Sequence, residues 1–181
     1  MLKVAVLDDY QKVAHKFAKW GELDGKVELK IFDKYIETEF DLIKVLSEFH
    51  VICLMRERTK IKANIIEKLP NLKLVVTSGM WNPSVDADKL KEKGIIFCGT
   101  DNSINSTAEL SWLLAIIVWR GIRTEFKNME NGGWQTEIGR SLFNKTLGIF
   151  GLGRQGKQVA KFGKAFGMNV IAWSNNLTEE L

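Results

Sequence analysis

The sequence predicts an α/β fold in which a doubly wound parallel sheet is followed by part of a second α/β domain. Two observations support this prediction. Short β-branched runs alternate with helical patterns from the N-terminus onward, and a separate strand–turn–helix–strand pattern begins near residue 146. Strands that alternate with helices form right-handed βαβ units and therefore a parallel sheet. The 181 residues fit two small domains, which we place at residues 1–100 and 101–181.

Five apolar, β-branched runs are the predicted strands of the first domain: Lys3–Leu7, Val27–Phe32, Val51–Met55, Leu72–Thr77 and Ile95–Cys98. Two stripes between them have the spacing of amphipathic helices: Leu42, Val45, Leu46 and Phe49 in the first, and Ile61, Ile65, Ile66 and Leu69 in the second. Asp41 and Ser84 are predicted N-caps, and Gly94 stands where a helix over Asp86–Lys93 needs a C′ glycine.

A long helix is predicted over Thr107–Arg120, where nearly every side chain is apolar. Such a helix needs cover on most of its sides, from another domain or another subunit. Turn-forming residues dominate the stretch that comes later, Asn131–Gly139.

The composition, with 45% hydrophobic and 27% charged residues, is that of a globular protein and excludes a mainly disordered chain. The longest apolar stretch, Leu110–Trp119, is far shorter than the roughly 20 residues of a membrane span, so no membrane partner is expected. The net charge of +4 is too small to indicate a nucleic-acid partner. Cys53 and Cys98 lie in strand-like runs, which suits buried thiols of a cytoplasmic protein, and no metal site is predicted.

Gly151, Gly153 and Gly156 form a G-x-G-x-x-G turn between a predicted strand and a predicted helix. In a dinucleotide-binding turn of this kind, the first glycine permits the tight turn, the second lets the backbone approach a pyrophosphate, and the third lets the helix pack close to the strand. The helix N-terminus then presents free N–H groups and its positive end to the phosphates. The predicted elements are the strand Thr146–Phe150, the helix Gln155–Phe166 and the strand Asn169–Trp173.

The helix after the turn has an apolar side and a basic side. We expect the apolar residues to face the sheet and the basic ones to face solvent: Val159, Phe162 and Phe166 on the first side, and Lys157, Lys161 and Lys164 on the second. No acid stands between Glu137 and Glu179. Arg154, in the turn itself, is the basic residue that we expect to meet an anionic cofactor.

The acid that normally binds the adenosine ribose of NAD, about 20 residues after such a turn, is missing. The second strand ends at Trp173 and is followed by Ser174 and Asn175. These two side chains could hydrogen-bond a ribose but would not repel a 2′-phosphate. No arginine follows closely to attract that phosphate. The predicted cofactor is therefore NAD or NADP, and the choice between them stays open.

Segments along nearly the whole chain resemble the D-isomer-specific 2-hydroxyacid dehydrogenases, the phosphoglycerate dehydrogenase-like family, of which this would be the N-terminal part. They include VAVLDDYQ, LKLVVTSGMWNPSVDADKLKEKGI, TAELSW, NGGWQ and KTLGIFGLGRQGKQVAKFGKAFGMNVIAWS. The resemblance implies a flavodoxin-like doubly wound substrate domain followed by the first half of a Rossmann NAD(P)-binding domain. It also implies an oxidoreductase that transfers a hydride between NAD(P)(H) and a small D-2-hydroxy or 2-keto acid.

The resemblance carries over two sets of binding residues. The loop Ser78, Gly79 and Met80 matches the one whose backbone amides hold the substrate carboxylate, although a plain strand–helix turn is the alternative. Thr107 matches a position that approaches the nicotinamide, and a helix N-cap is its alternative. The residues that match the pyrophosphate turn are Gly151, Gly153, Arg154, Gln155 and Gly156.

The resemblance carries over no catalytic residue. The family uses an Arg to bind and polarise the substrate, a His as acid/base and a Glu to tune that His, and we expect all three beyond Leu181. The two histidines of this chain, His15 and His50, are predicted to be surface or boundary residues. We therefore expect an incomplete chain that is inactive alone. Relatives dimerise through the region of the long helix, so a homodimer is expected.

Two other functions fit parts of the sequence. Asp8 and Asp9 form an acidic pair at the end of the first strand, as in a response-regulator receiver domain. The third strand ends in Leu54–Arg58 without the phospho-accepting Asp, so the receiver hypothesis fails and the pair is interpreted as the polar end of a strand. A non-catalytic dinucleotide-binding module or a partial gene product is the open alternative, with Trp112 and Trp119 available for an interface.

Overall fold

The computed structural model of the chain describes residues 1–101, 105–175 and 177. The chain forms two compact units, Met1–Asn102 and Ser103–Leu181. Each unit contains parallel strands and helices, which confirms the predicted α/β fold class.

The first unit contains all five predicted strands, and each strand end lies within two residues of its predicted position. They are β1 (Leu2–Val6), β2 (Val27–Ile31), β3 (Val51–Leu54), β4 (Leu74–Thr77) and β5 (Ile96–Gly99). The strands form one parallel sheet in the order β2-β1-β3-β4-β5. The helices are α1 (Ala14–Phe17), α2 (Glu39–Leu46), α3 (Ala63–Ile66) and α4 (Ala87–Glu92), with a 3₁₀ turn at Trp20–Leu23.

The core of the first unit lies between this sheet and its helices. Ala5, Ile52 and Val75 are register partners on β1, β3 and β4, and all three are fully buried. Leu42 and Leu46 of α2 pack into the same core. The first predicted apolar stripe is therefore confirmed, since it faces the sheet.

Helix α3 is shorter than its apolar stripe predicts. It covers a single turn, whereas Ile61 forms an isolated parallel bridge with Val85. The N–H of Ile61 donates to the carbonyl of Ser84 at 2.9 Å. Ile61 is nevertheless fully buried, because an extended residue and a helical one can both point an apolar side chain into the same core.

Two predicted N-caps are wrong by a few residues. Helix α2 is capped by Thr38, whose hydroxyl oxygen accepts the N–H of Asp41 at 3.1 Å. Helix α4 is capped by Asp86 rather than Ser84, and the Asp86 carboxylate accepts a first-turn N–H at 3.0 Å. Gly94 follows α4 with a φ of +68°, which confirms the predicted C′ glycine.

Asp8 and Asp9 are buried rather than simply polar residues at a strand end. Asp8 is 1% exposed and has a φ of +61°. Its carboxylate accepts the hydroxyl of Thr59 at 2.7 Å. The carboxylate of Asp9 accepts the N–H groups of Val13 and Ala14, both at 3.0 Å. These hydrogen bonds compensate the burial of two charged groups and tie the end of β1 to the start of α1.

The second unit contains the predicted strand–turn–helix–strand pattern. Its elements are α5 (Asn105–Trp119), α6 (Ile122–Glu130), β6 (Thr146–Phe150), α7 (Arg154–Ala165) and β7 (Asn169–Trp173). Strands β6 and β7 form a parallel pair with the predicted bounds, and α7 begins one residue earlier than predicted. Helix α6 is not predicted. It follows Gly121, which has a φ of +66° and separates it from α5.

Helix α7 packs differently from the prediction. Phe162 and Phe166 lie against the ring of Trp112 in α5, with centroid separations of 6.2 and 5.1 Å. The sheet is instead met by Gly163, where a Cβ would lie 2.6 Å from Cδ2 of Leu147. The basic side of α7 faces solvent as predicted: Lys157, Lys161 and Lys164 are exposed.

The two faces of the β6–β7 pair differ. Leu147 and Val170 lie on the face that contacts α7 at Gly163. The opposite face carries Phe150, Ile171 and Trp173, which are all exposed. Within the described residues, no further strand joins this pair.

Helix α5 is buried on one side only. Among the described residues, its buried side chains are Ala108 and Trp112. Its exposed large apolar residues, which we call the α5 face, are Leu110, Leu113, Leu114 and Val118. In the part of the chain that the structure describes, the α5 face is exposed, so the expected cover by another domain or subunit stays a prediction. No helix in residues 1–101 or 105–175 is both long enough and apolar enough to span a bilayer.

Candidate functional site

The glycine turn joins β6 to α7 at the carboxyl ends of β6 and β7. Gly151 has a φ of +97°, which L side chains rarely adopt, so this position requires glycine. Its N–H donates to the carbonyl of Trp173 at 2.7 Å. This bond fixes the turn against the end of β7.

The three glycines differ in the space around them. A Cβ on Gly156 would overlap the carbonyl oxygen of Gly151 and lie 3.3 Å from Cγ2 of Ile149. The helix therefore packs directly on the strand, as the motif predicts. A Cβ on Gly151 or Gly153 would meet no atom of the described chain within 4 Å. Close packing at Gly156 and open space at Gly151 and Gly153 fit a turn that receives a pyrophosphate.

Helix α7 starts at the turn with an uncapped N-terminus. Gly153 is its N-cap, and no side chain of the described residues caps it. Arg154 and Gln155 open the helix and are exposed. The N–H groups of the first turn and the positive end of the helix dipole are therefore available to an anion, with the Arg154 guanidinium beside them.

Ser174 and Asn175 follow β7 beside the glycine turn. Ser174 is half-buried, Asn175 is exposed, and the Ser174 carbonyl accepts the N–H of Leu177 at 3.1 Å. Because the preceding Trp173 is bonded to Gly151, both residues lie next to the turn. Their role as ribose contacts stays a prediction.

Thr107 lies inside α5, two residues after its start at Asn105. Its carbonyl accepts the hydroxyl of Ser111 at 2.8 Å, and its side chain is exposed. The alternative interpretation of Thr107 as an N-cap is therefore wrong. Asn105 accepts a long hydrogen bond of 3.5 Å from Gln158 of α7, so the start of α5 lies beside the first turns of α7.

The predicted substrate loop, Ser78, Gly79 and Met80, directly follows β4 in the first unit. The N–H of Ser78 donates to the carbonyl of Leu54 at 3.1 Å, and the N–H of Gly79 donates to the hydroxyl of Thr100 at 3.3 Å. Among the described residues, the N–H of Met80 has no such partner. Two of the three predicted amides are thus engaged within the protein, and that of Met80 is free for a ligand.

Gly99 lets the substrate loop approach the end of β5 closely. A Cβ on Gly99 would overlap the carbonyl oxygen of Gly79 and lie 2.7 Å from Cα of Met80. Gly79 itself has a φ of +94°. Both glycines are therefore required, one by space and the other by backbone conformation.

Asn82 supports the same loop and was not predicted. It is 2% exposed, and its amide donates to the hydroxyl of Thr77 at 2.9 Å and to the carbonyl of Arg56 at 2.7 Å. The N–H of Arg56 in turn donates to the hydroxyl of Ser78 at 2.9 Å. The sequence signal is the Asn82–Pro83 pair, since Asn-Pro marks a turn, but the partners are distant in the sequence.

The two histidines lie outside the predicted substrate loop and outside the glycine turn. His15 is exposed in α1. His50 immediately precedes β3, and its Nδ1 accepts the N–H of Lys3 at 3.1 Å, so it holds the amino ends of β1 and β3 together. Burial raises the pKa of the Cys53 thiol to about 11, with a smaller effect from Cys98, so Cys53 is not an activated nucleophile. Cys98 is exposed, so the prediction of a buried thiol is wrong at that position. In the described part of the chain, no group of His, Cys, Asp and Glu could hold a metal ion.

Known proteins are similar to this chain in sequence and in structure. Residues 112–181 match the family model described as D-isomer specific 2-hydroxyacid dehydrogenase, NAD binding domain. A hydroxypyruvate reductase from Thermotoga maritima is 36% identical over 83% of this chain and 50% of its own length. The D-3-phosphoglycerate dehydrogenase of Methanocaldococcus jannaschii is 32% identical over 100% of this chain and 34% of its own length. The crystal structure of a phosphoglycerate oxidoreductase from Vibrio cholerae matches with a TM-score of 0.88 and 34% identity, over 97% of this chain and 57% of that one.

The chain spans about half of the first of these curated relatives and about a third of the second. The glycine turn and both strands of the second unit lie within the residues that match the NAD-binding domain, which confirms the predicted cofactor class. The matched domain and the similarity over nearly the whole chain agree with each other. Residues 112–181 match the NAD-binding domain of the D-isomer-specific 2-hydroxyacid dehydrogenases, and nearly the whole chain is similar to proteins named as a D-3-phosphoglycerate dehydrogenase and a phosphoglycerate oxidoreductase.

Proposed function

We propose that the chain serves an NAD(P)-dependent oxidoreductase that acts on the CH–OH group of a D-2-hydroxy acid or reduces a 2-keto acid. In this proposal residues 1–100 bind the substrate and residues 101–181 begin the cofactor domain. The observation that carries it is the glycine turn, where Gly156 packs on the Gly151 carbonyl while Gly153 lies open in front of α7. The bound nicotinamide would supply the hydride chemistry, and the protein would supply orientation and charge.

The cofactor contacts follow from the arrangement around the turn. Gly151 and Gly153 let the backbone approach the pyrophosphate, and the N–H groups at the start of α7 bind it. Arg154 adds a positive charge at the same end of the helix. Ser174 and Asn175 would meet the ribose. The remaining proposed contacts are Gln155 and Gly156 in the turn and Thr107 in α5.

The substrate contacts are proposed for the loop after β4. Loops at the carboxyl ends of parallel strands are the usual ligand sites of such sheets. The free N–H of Met80 would donate to the substrate carboxylate, while Ser78 and Gly79 hold the loop in place through their internal hydrogen bonds. Asn82 supports the loop from below and is not proposed to touch the substrate.

We propose further that these 181 residues bind the dinucleotide without turning over substrate. The support is the placement of the histidines: His15 is exposed on α1, and His50 is engaged by Lys3 at the amino ends of the strands. A general acid/base must lie within hydrogen-bond reach of the proton that it moves. The test is reduction of hydroxypyruvate by NADH, followed by NADH absorbance, and measurable turnover by this chain would contradict the proposal. The alternative, a non-catalytic binding module, makes the same prediction and is favoured by the same placement.

Calorimetric titration with NAD⁺ tests the cofactor site itself. We expect Gly153→Val to abolish measurable binding, because its side chain would occupy the open space above the turn without touching the protein. The matched control is Gly148→Val: Gly148 in β6 is equally open but lies outside the turn. Binding should survive in the control. Unchanged binding by Gly153→Val, or no binding by the unaltered chain, would refute the cofactor site.

We propose a cytoplasmic homodimer that forms through the α5 face. The homodimer is supported by the α5 face, which is exposed in one chain, with Val118 at 80%. The cytoplasmic location is supported by the two free thiols, Cys53 and Cys98. Sedimentation at micromolar concentration should give a dimer that Leu113→Lys converts to a monomer. Phe17→Lys, which changes an exposed apolar residue of the first unit, should leave the dimer intact. A monomeric unaltered chain is the result that contradicts the homodimer.

A further inference from the structure

We propose that the dinucleotide site accepts a 2′-phosphate, so that the chain binds NADP and NAD with similar affinity, and that Ser174 is the residue that sets this tolerance. The inference rests on the proposed cofactor site. It adds a choice of ligand that the family resemblance leaves open.

The position of Ser174 is fixed by the backbone. Phe150 and Trp173 are register partners at the ends of β6 and β7, and the N–H of Gly151 donates to the Trp173 carbonyl at 2.7 Å. Ser174 is therefore the first residue beyond the sheet, directly beside the glycine turn. Its carbonyl accepts the N–H of Leu177 at 3.1 Å, which turns the chain immediately after it. In dinucleotide-binding folds the ribose is recognised at this strand end, about 20 residues after the turn.

The chemistry of Ser174 differs from that of the usual acid. A carboxylate at this position accepts the ribose hydroxyls of NAD and repels the phosphate of NADP. A serine can also hydrogen-bond a ribose hydroxyl, but it is neutral, and Asn175 after it is neutral too. A 2′-phosphate carries a charge of about −1.5 to −2 at neutral pH. It would therefore meet no opposing charge from these two residues.

The charged residues around the glycine turn also favour binding of a 2′-phosphate. All charged residues between Ile138 and Thr178 are basic. Two of them, Arg154 and Lys157, lie in the first turns of α7, and both are exposed. The acids that follow, Glu179 and Glu180, lie outside the described residues. The field at the turn thus favours a dinucleotide with additional negative charge.

The lack of a basic residue just after β7 limits the expected preference for NADP. A strong preference normally uses an arginine near the strand end to bind the 2′-phosphate. The residues from Ser174 to Thr178 include no basic side chain. We therefore expect the dissociation constants of NAD⁺ and NADP⁺ to agree within about tenfold.

The test is calorimetric titration of the chain with NAD⁺ and NADP⁺, and with the fragments 5′-ADP and 2′,5′-ADP. Ser174→Asp should weaken the binding of NADP⁺ relative to NAD⁺, and of 2′,5′-ADP relative to 5′-ADP, by more than about tenfold. The matched control is Asn169→Asp, which adds the same charge at the other end of β7, about 17 Å along the strand. This control should keep the original ratio.

Three results would overturn the inference. The first is a pair of dissociation constants for NAD⁺ and NADP⁺ that differ by more than about tenfold in either direction. The second is an unchanged ratio in Ser174→Asp. In both cases NAD⁺ binding survives, so the proposed function stands while the inference fails. The third result, binding of neither dinucleotide, overturns the proposed cofactor site and the inference together.

Discussion

Replacing Asn82 by alanine should destabilise the loop that is proposed to hold the substrate carboxylate. The Asn82 amide donates to the Thr77 hydroxyl at 2.9 Å and to the Arg56 carbonyl at 2.7 Å, and its oxygen accepts the N–H of Ser84 at 2.9 Å. Truncation at Cβ removes all three bonds. It also leaves a small void under the loop, because Asn82 is 2% exposed.

The three bonds contribute unequally. The Thr77 hydroxyl is completely buried, so it loses its partner where water cannot replace it, at a cost of about 1–3 kcal/mol. Arg56 is exposed and Ser84 is half-buried, so water can partly replace those two bonds, at about 0.5 kcal/mol each. We therefore expect the free energy of unfolding of the first unit to fall by about 2–4 kcal/mol.

Urea unfolding, followed by the amide NMR signals of β1, β3 and β4, measures this change in the first unit alone. The matched control is Asn71→Ala, since the exposed amide of Asn71 makes a single hydrogen bond, to the Ser47 carbonyl at 2.8 Å. The control should lose less than about 0.5 kcal/mol. If Asn82→Ala and Asn71→Ala destabilise the unit equally, Asn82 does not support the loop in the way described.

Three further predictions concern other parts of the chain. Hydrogen bonds from Thr136 hold the pKa of Glu125 below its ordinary value of 4.5. These bonds therefore stabilise the loop after α6 above pH 4.5 and are lost as the pH falls through the lowered pKa. The amide NMR signal of Thr136 should move in that pH range, and the same movement in Glu125→Gln would contradict this prediction. Cys98 is exposed, whereas burial shields the Cys53 thiol and raises its pKa to about 11. One thiol per chain should therefore react rapidly with a thiol reagent at pH 8. Rapid reaction of both thiols would be inconsistent with the structure. Gly99→Ala should displace the substrate loop and lower the melting temperature, because its Cβ would overlap that loop. The control is Gly21→Ala in the same unit, whose Cβ would lie no closer than 3.8 Å to another atom, and equal melting temperatures of the two variants would refute the close approach.

Local patterns account for the parts of the fold that could be predicted. The strands and the glycine turn depend on neighbouring residues, so β6 and β7 have the predicted bounds. Helix α6 also had a local signal, since Ile122, Phe126 and Met129 recur with helical spacing. This stripe is interrupted by charged residues and was not recognised.

Contacts between distant residues account for the rest. Periodicity indicates that α7 has an apolar side but not which neighbour covers it, and Phe162 in fact meets Trp112 of α5. The support of the substrate loop is similar, because Asn82 reaches Arg56, which is 26 residues away in the sequence. The burial of Asp8 likewise depends on Thr59, in another βα connection.

The β6–β7 pair has a consequence for how this chain behaves in solution. Within the described residues its outer strand edges are unpaired, and Phe150, Ile171 and Trp173 are exposed on one face. Such edges are templates for strand addition from other molecules. Association there has no inherent endpoint, so the mean particle mass would keep rising with concentration. A dimer through the α5 face would instead saturate at two copies, so a dilution series distinguishes the two surfaces.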